Sequence, residues 1–361
     1  MEAIEIIPVL NKQKIKRIGK DPVKAAKAVD LIYVSDAEPG IHRIRNKTTF
    51  DYILNKRKLK NKQQLERIKK LVIPPAWEDV WICALENGHL QVTGKDALQR
   101  KQYRYHPSWN ALRNHTKFFK MAAFGKALPG IRLQLEKDLA LPGLPQRKVL
   151  AAVISLMQRT NIRVGNSLYE KLYGSFGLTT LKDKHVDING SRLHFTYKGK
   201  KGVYHDVNIQ SKRLAGIVKQ CRDIPGKELF QYFDENKERR SIDSGMVNNY
   251  IKEISGEDFS AKDFRTWAGT VNAFIAFKDL GFFDTQTETK KKIVEALDNV
   301  AKSLGNTRTV CRKYYVHPMI INMYENKTLE KYFADLEHME ADDNKASLTA
   351  EEKMVMKILE S

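Results

Sequence analysis

The chain reads as an α+β protein: a small β-rich domain on the amino-terminal side, then a larger, mainly α-helical domain carrying a small antiparallel sheet or hairpin. Three observations predict this. At 361 residues the chain exceeds what one ordinary core encloses, so two domains are expected. Up to Trp109 the apolar runs are short and punctuated by turn residues, as strands are. Beyond it they lengthen and repeat every three or four residues, as helices do. The expected divisions are a flexible basic extension over 1–28, the β-rich domain over 29–112, the helical domain over 113–325, and a helix or tail over 326–361.

Taken in order, residues 1–28 are rich in lysine and lack apolar periodicity, which suits an arm lying along phosphates or a plain disordered tail. Leu65, Ile68, Leu71 and Val72 form a helical stripe that Pro74 and Pro75 end. The runs DVWICAL and HLQVTG read as a hairpin around Glu86-Asn87-Gly88. Between Gly94 and Trp109, Tyr103, Tyr105 and Trp109 interleave with cations: such a strand offers aromatics and the Gln102 amide to bases while Arg100 and Lys101 meet phosphates. LRNHTKFFKMAAFGKAL and GIRLQLEKDLAL are helical runs, and QRKVLAAVISLMQRT is apolar on nearly all sides, which marks a buried central helix. Arg163 follows its end, where a cation could simply serve helix carbonyls. Residues from Leu181 to Ile209 read as strands joined by Asn189-Gly190 and by a second tip that carries Lys200 and Lys201. Two helical stretches over 211–255 flank a polar stretch, and Ala261–Gly281 is an amphipathic helix with Arg265 near its start. A cation there opposes the helix dipole, so it is either exposed or aimed at an anion.

The composition narrows the partner. Sixty-three Lys and Arg against 43 Asp and Glu leave a formal charge of +20, which points to a polyanion, nucleic acid before an anionic membrane surface. The start carries acids rather than a secretory signal, and no run approaches the roughly 20 apolar residues that span a bilayer. A cytoplasmic, nucleoid-associated protein is the expectation. Three scattered cysteines, Cys83, Cys221 and Cys311, suit neither a disulfide framework nor a zinc site. There is no phosphate-binding glycine loop and no metal-ligand cluster, so no cofactor is expected.

The segment Gly305–Pro318, GNTRTVCRKYYVHP, sets Tyr314 and Tyr315 among Arg308, Arg312 and Lys313. A phenol has an ordinary pKa of about 10, so one used as a nucleophile needs neighbours that stabilise negative charge. These residues alone leave open whether either tyrosine is reactive.

RVGN at 163–166, YKGKKGVYH at 197–205, KDFRTWAGT at 262–270 and the tyrosine segment together resemble the type IB DNA topoisomerases of the small bacterial and poxvirus kind. DAEPGIHRIR, IPPAWEDVWI and TGKDALQRKQYRYH resemble that family's smaller, DNA-clamping domain. The resemblance implies that a tyrosine attacks a phosphate of duplex DNA, leaving a 3′-phosphotyrosyl link, and that the strand rotates before religation. Positive and negative supercoils would both relax without ATP or metal, by a monomer closing as a clamp around the duplex.

By the same resemblance Tyr315 is the nucleophile, Arg163 and Arg265 hold the phosphate, and Lys200 gives the leaving oxygen its proton, with Lys262 as a further contributor. Arginine suits that role because its planar fork donates to two oxygens and stays charged. The family's poxvirus members have a histidine nine residues before the nucleophile, where this chain has Asn306. An amide can donate to a phosphate oxygen but carries no charge, so Asn306 is expected to position only. Gln99 stands where small residues are common in relatives, which bears on local DNA contact, as Lys201 does at the hairpin tip. The alternative is a tyrosine recombinase, which uses a similar constellation. Recombinases usually show HxxR where this chain has Lys262-Asp263-Phe264-Arg265.

Overall fold

The computed structural model describes residues 21–47, 49–97, 99–339, 344 and 346–361, without the side chains of 114–116 and 119. Residues 1–20, most of the expected extension, lie outside the described residues. The chain divides into two compact units, Met1–Phe119 and Lys120–Ser361.

In the first unit alternating apolar residues make one antiparallel sheet: β1 (Ile41–Asn46), β2 (Thr49–Leu54), β3 (Arg57–Lys58), β4 (Glu78–Ile82), β5 (Leu90–Lys95) and β6 (Lys101–Tyr105), in the order β3-β2-β1-β4-β5-β6. Ile41, Val80, Ile82 and Val92 on its inner face pack with Ile68 from α2 (Lys62–Lys70). Within the span expected to be extension, α1 (Pro22–Lys27) is helical and its Ala25 and Ala26 are buried with Trp109 and Leu112. Asp21 accepts from Val23 N at 3.0 Å and Lys24 N at 3.1 Å, so an N-cap and a small apolar face order this short segment.

The two helical runs flanking Pro129 are one helix, α3 (Pro107–Leu139), which continues from the first unit into the second. An interior proline costs about 3 kcal/mol. Leu128, Ile131 and Leu135 are almost fully buried, and at about 1.5–3 kcal/mol each their burial outweighs it.

The second unit is built on α4 (Gln146–Thr160), in which Val149 to Ile154, Leu156 and Met157 are all buried. After α5 (Ser167–Tyr173), β7 (Val186–Asn189), β8 (Arg192–Lys198) and β9 (Tyr204–Gln210) form the small antiparallel sheet. Between α6 (Lys212–Arg222) and α7 (Ser244–Ser255) the polar stretch holds a hairpin, β10 (Gln231–Phe233) with β11 (Arg239–Ser241). Strands of three residues are too short to show alternation. The turn is made by Asp234, whose carboxylate accepts from Asn236 N and Glu238 N at 3.0 and 2.9 Å. Then come α8 (Ala261–Leu280), α9 (Gln286–Leu304), α10 (Arg308–Tyr314), α11 (Pro318–Glu325), α12 (Glu330–Glu337) and α13 (Ala350–Glu360).

The last helix is part of the core. Its Glu352 is buried, accepts two bonds from Arg132 at 2.9 and 2.8 Å, and accepts a third from Trp267 Nε1 of α8 at 2.9 Å. Burial pushes this carboxyl up, but the donors outweigh it and hold it below its ordinary range.

Gln99 shows why a small residue suits its position: its φ is +57°, the left-handed region that L side chains resist. Its side chain also donates to Glu78 at 2.8 Å on the exposed surface, a bond of little net worth. Gln99→Gly is therefore expected to stabilise the protein by about 0.5–1 kcal/mol. A denaturant midpoint that does not rise would show that the Glu78 bond outweighs the strain.

Candidate active site

The two arginines singled out in the sequence meet at the carboxyl-terminal ends of two helices. Asn161 caps α4 with a φ of +55°, turning the chain so that Arg163 leaves the helix end. Leu178 N bonds Arg163 O at 2.9 Å and Thr179 N bonds Val164 O at 2.7 Å, pinning this stretch. The half-buried Arg163 then donates from Nη2 to Gly305 O at 2.9 Å and to Asn306 Oδ1, just past the end of α9.

Arg265 sits in the first turn and a half of α8, yet it is neither exposed nor paired to an anion, the two outcomes the dipole argument anticipated. It is 5% exposed and donates to Asn161 O and, at 2.8 Å, to Leu304 O. Carbonyls at helix carboxyl ends carry partial negative charge, and two such ends converge on this guanidinium.

Tyr315 is brought to the same place through its backbone. It follows α10, its N bonds Cys311 O at 2.9 Å, and Gly269 of α8 lies so close that a Cβ there would stand 2.7 Å from Tyr315 O. The buried Thr270 hydroxyl lies 3.2 Å from Tyr315 O and accepts from His317 N at 3.0 Å. The Tyr315 ring consequently lies 5.3 Å from the Arg265 guanidinium. The Tyr314 ring instead lies 5.7 Å from the ammonium of its neighbour Lys313.

The charge of this cluster, unlike that of several other arginines, is not met by carboxylates among the described residues. Arg100, Arg132 and Arg147 are each bonded to carboxylates. Among the described residues no carboxylate pairs with Arg163 or Arg265. Burial, and then the neighbouring Arg265 cation, hold the Arg163 pKa below its ordinary value. Two N–H groups here also find no acceptor among the described residues, Arg265 Nε and Asn306 Nδ2. The amide orientation of Asn306 follows from chemistry, because a guanidinium must face its oxygen, leaving the NH2 as a donor. Two cations and two unused donors make a site suited to an anion with several oxygens.

Lys200 opens a 3-10 turn, Lys200–Gly202, at the tip between β8 and β9, with its ammonium 5.2 Å from the exposed Tyr169 ring. Lys201 is exposed beside it, with a φ of +62°. Lys262 is exposed one turn ahead of Arg265 and pairs with no carboxylate among the described residues. Sequence reasoning passed over His205. It pairs across the sheet with Tyr197, its ring stacked on that phenol at 4.9 Å, and it abuts both Gly199 and Gly305. Period-two alternation in a strand whose partner is Tyr197 was the available signal.

The nucleic-acid candidates of the first unit lie on and beside β6. Its alternation exposes Lys101, Tyr103 and Tyr105 on one face, the two phenols stacked at 6.0 Å. The cations there are already engaged: Asp96 accepts from Arg100 and Gln102 at 2.7 and 2.8 Å, and Asp36 pairs with Lys101 at 2.5 Å. Lys101 is exposed, and such a pair is worth about 0–1 kcal/mol, whereas Arg100 and Asp96 are partly buried.

The chain has counterparts among known proteins. Residues 106–342 match the family model described as "Eukaryotic DNA topoisomerase I, catalytic core". The chain belongs to the type IB DNA topoisomerases. Residues 49–96 match the "Bacterial DNA topoisomerase IB, N-terminal domain". Among curated relatives, DNA topoisomerase 1B of Acanthamoeba polyphaga mimivirus is 29% identical over 296 residues, 80% of this chain and 88% of the relative. DNA topoisomerase 1B of vaccinia virus (strain Copenhagen) is 24% identical over 253 residues, 70% and 77% respectively. Membership implies DNA binding, which the basic composition suits. Among the described residues there is no cluster of three metal-ligating side chains, and no helix is long and apolar enough to cross a membrane.

Three histidines have lowered pKa values, with burial as the main cause and nearby cations adding to it: His89 beside Arg113, His185 beside Lys184 and Lys182, and His205 beside Arg163 and Arg265. A folded-state value below the unfolded one means the stability these groups contribute is complete above about 6.5 and is lost as pH falls through the depressed values. Unfolding midpoints are therefore expected to drop between pH 7 and the carboxylate range. A profile flat to pH 5 would show that these imidazoles protonate in place.

Proposed function

We propose that this chain relaxes supercoiled duplex DNA through a covalent bond to Tyr315. The observation that carries the reading is the pair of guanidiniums, Arg163 and Arg265, which have no carboxylate partner among the described residues and lie beside that phenol. Tyr315 Oη attacks the scissile phosphorus and gives up its proton to solvent. The bond from phosphorus to the 5′-oxygen breaks as the new phosphorus–Oη bond forms. Arg163, Arg265 and Asn306 Nδ2 hold the nonbridging oxygens as their charge grows, and fixed donors of this kind do most when the charge is largest. Lys200 gives its proton to the departing 5′-oxygen, with Lys262 as a further contributor. The strand rotates about the intact one, and the 5′-hydroxyl then attacks the phosphotyrosine, breaking the phosphorus–Oη bond and returning its proton to Lys200 while Tyr315 Oη regains a proton from solvent. Phosphodiester energy stays in the tyrosyl link, so no nucleotide is consumed, and free rotation relaxes either sign of supercoil. One nucleophile suffices, so a monomer acting on chromosomal DNA is the expected form.

Plasmid relaxation in EDTA without ATP tests this reading, and a strict requirement for magnesium or nucleotide would overturn it. Arg163→Ala and Arg265→Ala are each expected to lower the single-turnover cleavage rate about 10²- to 10³-fold, while DNA affinity changes little. Equal losses of rate and affinity would make them ordinary binding residues.

A trapped complex with a nicked suicide duplex is expected to carry its nucleotide on Tyr315 through a 3′-phosphate. Tyr315→Phe should form no adduct and Tyr314→Phe should form it normally. An adduct on Tyr314, or through a 5′-phosphate, refutes the assignment.

A further inference from the structure

The proposed reaction leaves His205 without a part, yet its surroundings tie it to two of the reacting groups. Cross-strand pairing puts the imidazole flat against Tyr197, with an interplanar angle of 6°. One side of the ring rests on Gly199, where a Cβ would come within 2.6 Å of both Cδ2 and Nε2. Another side rests on Gly305, where a Cβ would collide with Cε1 and stand 3.1 Å from Nε2. The ring therefore fills the space between the residue just before Lys200 and the residue just before Asn306.

Those two sides are held unequally. On the Asn306 side, Gly305 O accepts from Arg163 at 2.9 Å, Leu304 O accepts from Arg265 at 2.8 Å, and Asn306 N donates to Ala301 O at 2.9 Å. On the Lys200 side the strand end is tied where Lys198 O accepts from Phe176 N at 2.8 Å, and the turn beyond it has bonds within itself, Gly199 N to Val203 O at 2.7 Å and Gly202 N to Gly199 O at 3.1 Å. The turn carries exposed Lys200 and Lys201, and Tyr204 next to His205 is 82% exposed. Removing the ring would thus release the turn more than the helix end.

We infer that His205 is a positioning residue: its imidazole, braced by Tyr197, spaces the Lys200 turn from the Gly305–Asn306 corner and so places the ammonium against the leaving 5′-oxygen. This rests on the reading of Lys200 as proton donor. The ring acts by shape, as a rigid plate between two backbones, and Gly199 and Gly305 give it the room.

The test compares single-turnover cleavage of two suicide duplexes by the full chain, one with the ordinary 5′-oxygen at the scissile bond and one with sulfur in its place. A thiolate departs without a proton, so the sulfur substrate bypasses Lys200. His205→Ala is expected to slow the oxygen substrate at least about 10-fold, since a misplaced catalytic group costs that much or more. On the sulfur substrate its deficit should shrink to within about threefold, DNA affinity should hold, and His205→Phe, which keeps a flat ring, should recover most of the oxygen rate. An equal deficit on both substrates, or none on oxygen, overturns the inference. Should His205→Ala fail to fold, His205→Gln carries the same comparison and is decided by the same outcomes. Lys200→Ala separates the two roles: if sulfur rescues it but not the His205 variants, only the positioning role falls. If sulfur fails to rescue Lys200→Ala while wild type cleaves, the proton-donor reading falls and takes the inference with it.

Discussion

Two guanidiniums gathering the carboxyl ends of two helices are the constraint on which the catalytic unit depends. Arg265 reaches Asn161 O and Leu304 O, and Arg163 reaches Gly305 O and Asn306 Oδ1, so each arginine touches the end of α9 and together they bind it to the end of α4. Converging helix carbonyls lower the cost of burying the cations, but dipole ends are only partial charges. The positive charge is not cancelled. That residue of unbalanced charge ties the fold to its chemistry, because a bound phosphate would complete the cluster electrostatically.

Holding such a cluster requires that α8 not shift, and the molecule secures that helix along its length. Gly269 and Thr270 fix it against the Tyr315 backbone, and Trp267 is tied through Glu352 to Arg132 of α3. Removing one partner of a buried ion pair of this type costs about 3–5 kcal/mol. The carboxyl-terminal helix α13 is thereby part of the framework that positions Arg265, although it lies far from the tyrosine in sequence.

Much of this was legible in the amino-acid sequence, where the signal is local. The buried helix around Ile154 announces itself by apolar residues on all its faces, and the Asn189-Gly190 turn by the backbone conformation those residues favour. The family follows from four ordered motifs because chemistry on a phosphate restricts residue type at each one. Short elements escaped because three residues show no period, as in β10 and β11. Pro129 misled, since a local propensity says nothing of the burial of Leu128 and Ile131 that overrides it.

Sequence by itself determined the two-part α+β architecture, the polyanionic partner and the family, because each of these is written in composition, period or motif. Only the tertiary structure decided what the candidate side chains face. Whether Arg265 meets solvent, an anion or helix carbonyls depends on where α4 and α9 end in space, and no spacing along the chain encodes that. Nor could it tell that Arg100 and Lys101 rest on Asp96 and Asp36, or that His205 stands between Gly199 and Gly305. The physical reason is one of range: propensity and period act over a few residues, whereas charge compensation and packing depend on groups that folding alone brings together.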